Sequence, residues 1–300
     1  MEDIVSIAWW NTGISPSSAR NRMSKTELTI AFNIIADVLA ENSIDIFCLG
    51  EVSPLDVERL SEILTNRNYF IYNGTYNEGK IKHDMCIIIN ERKLKYIDSK
   101  SITEQTILGK IRAGQEIQLV HQASTDSIFL YISHWPSRDN DSSQGMPKRY
   151  ELGKTLRNAI DRCIEEKKGE YLILIGDYND EPFDDSLASA LGASRDRESV
   201  KRKDSLFYNP FWNHMGAMVK FPINGHDSCS YGTYYYKSGV INRWHTFDQM
   251  IFSSSFLRSE KWSLIENNVR IINKQSIVDL IKSRSNSFDH LPIVASIKRA

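Results

Sequence analysis

The run Tyr171-Leu172-Ile173-Leu174-Ile175, broken at once by Gly176-Asp177-Tyr178-Asn179-Asp180-Glu181-Pro182, constrains this chain more than any other segment. Five consecutive apolar residues bounded by Gly are too short for a buried helix and read as a strand covered on both faces. Such a strand needs layers on either side, and it delivers Asp177 and Asn179 on rigid backbone to the rim of a sheet. A second cluster of this kind closes the sequence: Ser287-Phe288-Asp289-His290 leads directly into Leu291-Pro292-Ile293. Two acid clusters at strand ends suggest a metal-assisted hydrolase.

The 300 residues contain no Pro/Ser/Gly-rich linker, repeat or low-complexity stretch, so one domain over 1–300 is expected. The net charge of −1 offers no overall electrostatic case for nucleic acid, although a local basic rim can serve that purpose. Cys48, Cys86, Cys163 and Cys229 are far apart, with no metal-binding spacing, and are expected to be buried, reduced thiols. Glu2 and Asp3 stand where an export signal carries Lys or Arg, and no apolar stretch reaches membrane-spanning length. A cytoplasmic location and no membrane partner are therefore expected.

Periodicity predicts strands over 4–10, 44–49, 69–72, 85–89, 127–133 and 171–175. Later strands are expected over 230–236, 247–252, 269–272 and 292–297. Helices are predicted over 25–41, with Leu28, Phe32, Ile35 and Leu39 in one stripe, from Pro54 onward, and over 147–167. This order fits two packed sheets covered by helices.

The predicted strand ends carry Asn11, Glu51, His134, Asp177 with Asn179, Asp248, and Asp289 with His290. An Asp after a strand is common, but this ordered set resembles the endonuclease/exonuclease/phosphatase family over essentially the whole chain. His134-Trp135-Pro136-Ser137-Arg138, Arg149 on the next helix, and Gly232-Thr233-Tyr234 ahead of Phe247-Asp248-Gln249 resemble a bacterial branch of it. Tyr178 and Gln249 depart from the common Phe and Tyr. The resemblance implies an α/β (α+β) fold, a four-layer αββα sandwich of two mixed sheets flanked by helices.

Phosphate-ester hydrolysis needs an activated water, a means of spreading phosphoryl charge, and stabilisation of the leaving oxygen. Glu51 is the best candidate to hold Mg²⁺, with Mn²⁺ as substitute, because hard cations take carboxylate oxygen and Mg²⁺ keeps most of its waters. Asn11 is expected to steady that carboxylate. Asp177 would orient or deprotonate the water, Asn179 would donate to a phosphoryl oxygen, and His134 would donate to a non-bridging or leaving oxygen. His290 is the candidate general base or phosphate contact, and a carboxylate must fix its tautomer. By resemblance that partner is Asp248, and Asp289 lies on the metal side. Asp84 is a candidate partner for His134.

Two groups mix rings with cations: Trp135, Arg138, Lys148 and Arg149; and Tyr231, Tyr234, Tyr235, Tyr236, Lys237, Arg243 and Trp244. Arg138, Arg149, Tyr234, Tyr236, Arg243 and Trp244 are candidates to bind a polynucleotide by stacking and phosphate contact. Tyrosines alternating on a half-buried strand give the same pattern through packing alone. His83, His121, His214, His226 and His245 match no motif and are expected to be structural or solvent-facing.

The expectation is a Mg²⁺-dependent phosphodiesterase, a nuclease acting on DNA. The alternatives are a phosphatase or phosphodiesterase on a phospholipid headgroup or small phosphorylated metabolite, and a catalytically silent binding module. A nuclease within a cell further suggests narrow substrate choice or a regulatory protein partner.

Overall fold

A computed structural model of the chain describes residues 3–16, 23–65, 67–79, 81–106, 109–138, 145–216 and 230–300. Its strands run in chain order β1 (Ile4–Asn11), β2 (Ile46–Gly50), β3 (Tyr69–Asn73), β4 (Tyr76–Glu78), β5 (Ile81–His83), β6 (Cys86–Asn90), β7 (Leu94–Thr106), β8 (Gly109–His121) and β9 (Ser127–His134). They continue as β10 (Tyr171–Asp177), β11 (Ala193–Ser194), β12 (Phe207–Tyr208), β13 (Tyr234–Tyr235), β14 (Trp244–His245), β15 (Asp248–Ser253), β16 (Trp262–Ile271) and β17 (Ile293–Arg299). The α-helices are α1 (Lys25–Glu41), α2 (Pro54–Ile63), α3 (Gly145–Lys167), α4 (Arg197–Arg202), α5 (Ser255–Arg258) and α6 (Gln275–Lys282).

Two mixed sheets form the body, a six-stranded one ordered β16-β17-β1-β2-β6-β3 and a seven-stranded one ordered β11-β12-β15-β10-β9-β8-β7. Strand alternation sorts the side chains into layers. Val5, Ile7, Trp9, Ile46, Cys48 and Ile87 of the first sheet meet Ile117, Leu130, Ile173, Ile175 and Met250 of the second in a dry central core. The opposite face of the first sheet, with Ala8, Trp10, Phe47 and Leu49, packs on Ile35 and Val38 of α1, Val57 and Leu60 of α2, and Val278 of α6. Phe129, Tyr131, Leu172 and Leu174 pack on Leu152, Leu156 and Ile160 of α3 and on Leu187 of a π-helical turn, Ser186–Leu191. The expected αββα sandwich is therefore present.

Helices α1 and α2 start at capping boxes in which Ser24 pairs with Glu27 and Ser53 with Asp56. The second box sits two residues beyond Glu51, so the start of α2 fixes where that acid leaves the sheet. Several expected strands have other bounds. The segment 230–236 contributes only Tyr234–Tyr235, paired with β14 in a small sheet of its own. The stretch expected over 269–272 is the tail of the ten-residue β16. The long β7–β8 hairpin was not foreseen, because edge strand β7 alternates weakly and is largely polar. Cys48, Cys86 and Cys163 are buried free thiols, while Cys229 and His226 lie outside the described residues.

Candidate active site

Strand register assembles the site at one rim of the sandwich. Parallel pairing of β9 with β10 sets His134 opposite Asp177, and antiparallel pairing of β10 with β15 sets Asp177 opposite Asp248. In the other sheet, β1 beside β2 puts Asn11 opposite Gly50, so Glu51 emerges next to it. His290 precedes β17, the other neighbour of β1. Close approach of β9 and β10 requires glycine at 176, where φ is +156° and a Cβ would lie 1.8 Å from the carbonyl oxygen of Ser133.

One half of the site is a buried chain of acids around His290. Asp248 is fully buried; its Oδ2 lies 2.7 Å from His290 Nδ1 and its Oδ1 accepts from Trp9 Nε1 at 2.7 Å. His290 Nε2 faces Asp177 Oδ2 at 3.7 Å. Asp177 accepts from the Asn179 backbone N–H at 2.9 Å and from Asn11 Nδ2 at 3.1 Å. Asn11, expected to steady Glu51, thus braces Asp177 instead, because its place on the inner face of β1 points it between the sheets.

The other half is centred on His134. Asp84 Oδ2 sits 3.1 Å from His134 Nδ1, the pairing anticipated for it, and Arg112 clamps the pair by donating to Asp84 Oδ1 at 3.1 Å and to the His134 carbonyl at 3.0 Å. His134 Nε2 then faces Glu51 Oε1 at 3.8 Å. Glu51 and Asn179 both hold left-handed backbone, φ 55° and 52°. Strain of this kind in non-glycine residues persists where surrounding packing over-determines it, often at functional sites.

The loop after β10 is built on Asp180, which is buried and paired with Arg149 Nε at 2.7 Å and Arg138 Nη2 at 3.0 Å. Arg149 is 3% exposed, so the substrate contact expected of it is corrected: its guanidinium is committed to supporting this loop. Arg138 also donates to the Asn179 carbonyl at 2.8 Å and lies over the Phe247 ring, yet keeps 38% of its side chain exposed. Gln249 ties the same loop to the second sheet by donating to the Asp180 carbonyl at 2.8 Å. Asn179 spends one amide hydrogen on the Trp135 carbonyl.

Among the tyrosines, Tyr234 packs on His290, with ring centroids 4.7 Å apart, and Tyr236 is exposed, while Tyr235 is buried against Trp244. Arg243 donates to the Tyr235 hydroxyl and the Gly239 carbonyl, and Trp244 packs on the helix-covered core. These two therefore shape the β13–β14 hairpin, and Tyr234 is the ring of this group that the structure brings to His290.

Electrostatics follow from the pairing. Burial opposes charge on His290, but Asp248 and Asp177 outweigh it and hold its pKa up at about 10. His134 is raised to about 9 in the same way, by Asp84 and then Glu51. Burial would raise Asp84, yet His134 and Arg112 pull it well below the usual carboxylate range. Burial raises Asp177 against the pull of His290, with Asp248 adding to the rise. Burial also raises Glu51, with His134 lowering it and nearby Asp289 raising it.

Two sets of acids could hold a cation. Ligand atoms of Asp177, Asp248 and His290 lie within 4.8 Å of one another. Both oxygens of Asp248 and one nitrogen of His290 are already bonded there. Glu51 and Asp289, by contrast, sit close enough to repel and keep 21% and 40% of their side chains exposed. That open pair fits a hard, partly hydrated cation such as Mg²⁺.

Thr233, of the Gly232-Thr233-Tyr234 motif, accepts from the Asp248 backbone N–H at 2.9 Å, whereas residues that sequence patterning did not single out include Trp9, which orients Asp248, and Arg112. Trp9 lies two residues before Asn11 on the same strand face, a signal available in the alternation. Arg112 lies on β8, which was not foreseen.

The profile described as "Endonuclease/Exonuclease/phosphatase family" matches residues 18–293. No curated protein matches the sequence. Among solved structures, the human Nocturnin catalytic domain with bound sulfate shares 16% identity at a TM-score of 0.64, covering 100% of this chain and 96% of that one. D. rerio TDP2 complexed with single strand DNA product shares 16% identity at 0.62, with 98% of each chain covered. A mannosyl-6-phosphatase of Bacteroides thetaiotaomicron shares 13% at 0.61, covering 98% of this chain and 99% of that one. Likeness at these identities is a likeness of fold.

Proposed function

The chain belongs to the endonuclease/exonuclease/phosphatase family, a family of phosphoric ester hydrolases, and we propose that it is a Mg²⁺-dependent phosphodiesterase acting as a nuclease on DNA. The observation that carries this reading is the facing of two buried acid–histidine pairs, Asp248–His290 and Asp84–His134, across a rim that also holds Asp177 and the open carboxylate of Glu51. A phosphate seated between the two imidazoles meets an N–H from either side, while Asp177 receives or orients the proton of the attacking water. Asp248 and Asp84 fix which imidazole nitrogen faces inward, and Asn11 and the Asn179 amide hold Asp177 in place. Glu51 and Asp289 would hold Mg²⁺, which would supply Lewis-acid stabilisation of phosphoryl charge.

The DNA assignment is supported by the partly exposed Arg138 and Tyr236 beside the rim, and by the single strand DNA product bound to one structural neighbour. Among the described residues no helix is long and apolar enough to cross a membrane. A nuclease retained in the cytoplasm would need narrow substrate choice or a regulatory protein partner. Purified protein with Mg²⁺ is to be incubated in parallel with plasmid, single-stranded DNA, RNA, bis-p-nitrophenyl phosphate, sphingomyelin and a sugar phosphate. DNA cleavage abolished by EDTA and restored by Mg²⁺ or Mn²⁺ is expected, with Glu51→Gln needing more metal. Full activity in EDTA would refute the metal role, and turnover confined to the sugar phosphate or sphingomyelin would refute the nuclease assignment.

A further inference from the structure

Backbone register lines up three rings on one face beside the site. Tyr234 of β13 is the direct cross-strand partner of His245 on β14, and on its other side it forms a bridge with His290. Residues directly opposite one another in a ladder share a face, so His290, Tyr234 and His245 stand in a row. Their backbones are two strand spacings apart end to end, about 10 Å. The ring of Tyr234 lies 4.7 Å from that of His290 and 6.2 Å from that of His245 between centroids.

His245 is held in the same manner as His134 and His290, by a carboxylate on Nδ1. Glu181 Oε1 lies 3.0 Å from that nitrogen, and the second oxygen of Glu181 accepts from the Thr246 backbone N–H at 3.0 Å. Phe247 stacks on the imidazole at 4.8 Å between centroids and 19° between planes, which fixes the plane of the ring. Nε2 has no hydrogen-bond partner among the described residues, yet it is not one of the buried unpartnered atoms, and the side chain keeps 22% of its surface exposed. That nitrogen therefore reaches the surface, available to a ligand.

The surroundings select an anion. In the imidazolium form both ring nitrogens donate, Nδ1 to Glu181 and Nε2 to an acceptor from outside. Arg138 lies 4.9 Å over the same Phe247 ring; its Nε and Nη2 are spent on the loop after β10, while its Nη1 bonds nothing among the described residues. The nearby acids are already committed, Glu181 to His245 and Thr246, and Asp180 to Arg138, Arg149 and Ser186. An incoming phosphate thus meets N–H groups, and its hydrogen bond to an imidazolium is of the strong, charge-assisted kind. Between this position and the scissile phosphate at His290 lies the half-buried Tyr234, a ring about as wide as one sugar.

We propose that His245, held by Glu181, binds a second phosphate of the substrate, the one separated from the scissile phosphate by a single sugar, with that sugar lying over Tyr234. The assignment rests on the phosphodiesterase reading above and deepens it, because a second phosphate belongs either to a polynucleotide or to a bisphosphorylated metabolite. The full chain is titrated calorimetrically with thymidine 3′,5′-bisphosphate, thymidine 3′-phosphate and thymidine 5′-phosphate. Two variants are compared with wild type: His245→Phe keeps a ring against Phe247 but removes both nitrogens, and His245→Asn keeps an N–H for Glu181 but ends short of the Nε2 position. Wild type should bind the bisphosphate roughly tenfold or more tighter than either monophosphate, the gain of one charge-assisted hydrogen bond, and in both variants this gain should shrink to about twofold or less. A kinetic arm uses p-nitrophenyl esters of thymidine 5′-phosphate and 3′-phosphate, each with and without a phosphate on the other sugar oxygen. For one of the two isomers the added phosphate should lower KM at nearly constant kcat in wild type, and not in the variants. Equal affinity of wild type for mono- and bisphosphate, the same gain in wild type and both variants, or an effect on kcat alone would each overturn the second-phosphate site. Equal weakening of monophosphates and bisphosphate in the variants would show His245 to be a structural support and overturn it as well. Protein that cuts no polynucleotide but keeps the gain that depends on His245 would overturn the nuclease reading and leave the site standing, with a bisphosphorylated metabolite as its ligand.

Discussion

Replacing Asp248 with Asn tests whether the Asp248–His290 pair works through one hydrogen bond. Asp248 is fully buried and both of its oxygens are used, one by the Trp9 indole N–H and one by His290 Nδ1, each at 2.7 Å. An asparagine has a single carbonyl oxygen. The indole can only donate and is locked in the central core, so the carbonyl stays with Trp9 and the new NH₂ faces His290. The imidazole then gives up its Nδ1 proton and presents the other tautomer to Asp177. The loss is one charge-assisted hydrogen bond, about 1.5–3 kcal/mol. At about 1.36 kcal/mol per decade, kcat on bis-p-nitrophenyl phosphate should fall roughly 10- to 150-fold. His290→Ala removes the group itself and should fall by about 10²–10⁴. Steady-state kinetics gives the ranking, thermal melting reports whether the fold survives, and long-range ¹H–¹⁵N spectra report the tautomer of His290. Wild-type turnover in Asp248→Asn with the tautomer changed would refute the reasoning, as would a loss larger than that of His290→Ala at unchanged melting temperature.

Stability of metal-free protein should decline from pH 6.5 to 10: His134 and His290 are raised to about 9 and about 10, so their stabilisation is complete below the unfolded value of about 6.5 and is lost as pH climbs through the folded ones. Urea midpoints at pH 6.5, 8 and 10 measure it, and Asp84→Asn, which removes the main partner of His134, should flatten the decline; an equal decline in both proteins would contradict the assignment. Burial pushes the Cys163 thiol up to about 11 and raises Cys48 and Cys86. At pH 8 its thiolate fraction is therefore about 10⁻³, and native protein should take up at most one equivalent of a thiol reagent against four after unfolding in urea; fast labelling of Cys163 in the native state, read by peptide mass mapping, would show that the fold is looser there.

Strand β10 was legible in the sequence because five apolar residues in a row can be satisfied only by a strand covered on both faces, and its end had to carry Asp177 to a rim. Helix α1 was legible from the stripe Leu28, Phe32, Ile35 and Leu39, and α2 from Pro54, whose fixed φ suits the first turn of a helix. Local pattern also marked Glu51, His134, Asp248 and His290 as strand-end residues. It carried no information on distance. That Asp177 lies between His134 and Asp248 follows from the register of β10 against β9 on one side and β15 on the other, and register is set by long-range packing of faces. Arg149 shows the limit most clearly: a cation beside Trp135 and Arg138 in a basic, aromatic stretch has the composition of a phosphate contact, but burial beside Asp180 turns it into a support of the loop. Asn11 likewise had the right residue type in the right strand, and only the stacking of the two sheets decided that its amide meets Asp177. His83 is of the same kind, because a histidine in a short polar hairpin looks solvated, yet it is 1% exposed and lies against the Tyr76 ring. The sequence alone determined which residue types reach the strand ends; pairing register and the packing of the two sheets decided which of them meet, because contacts between distant segments are absent from any local window.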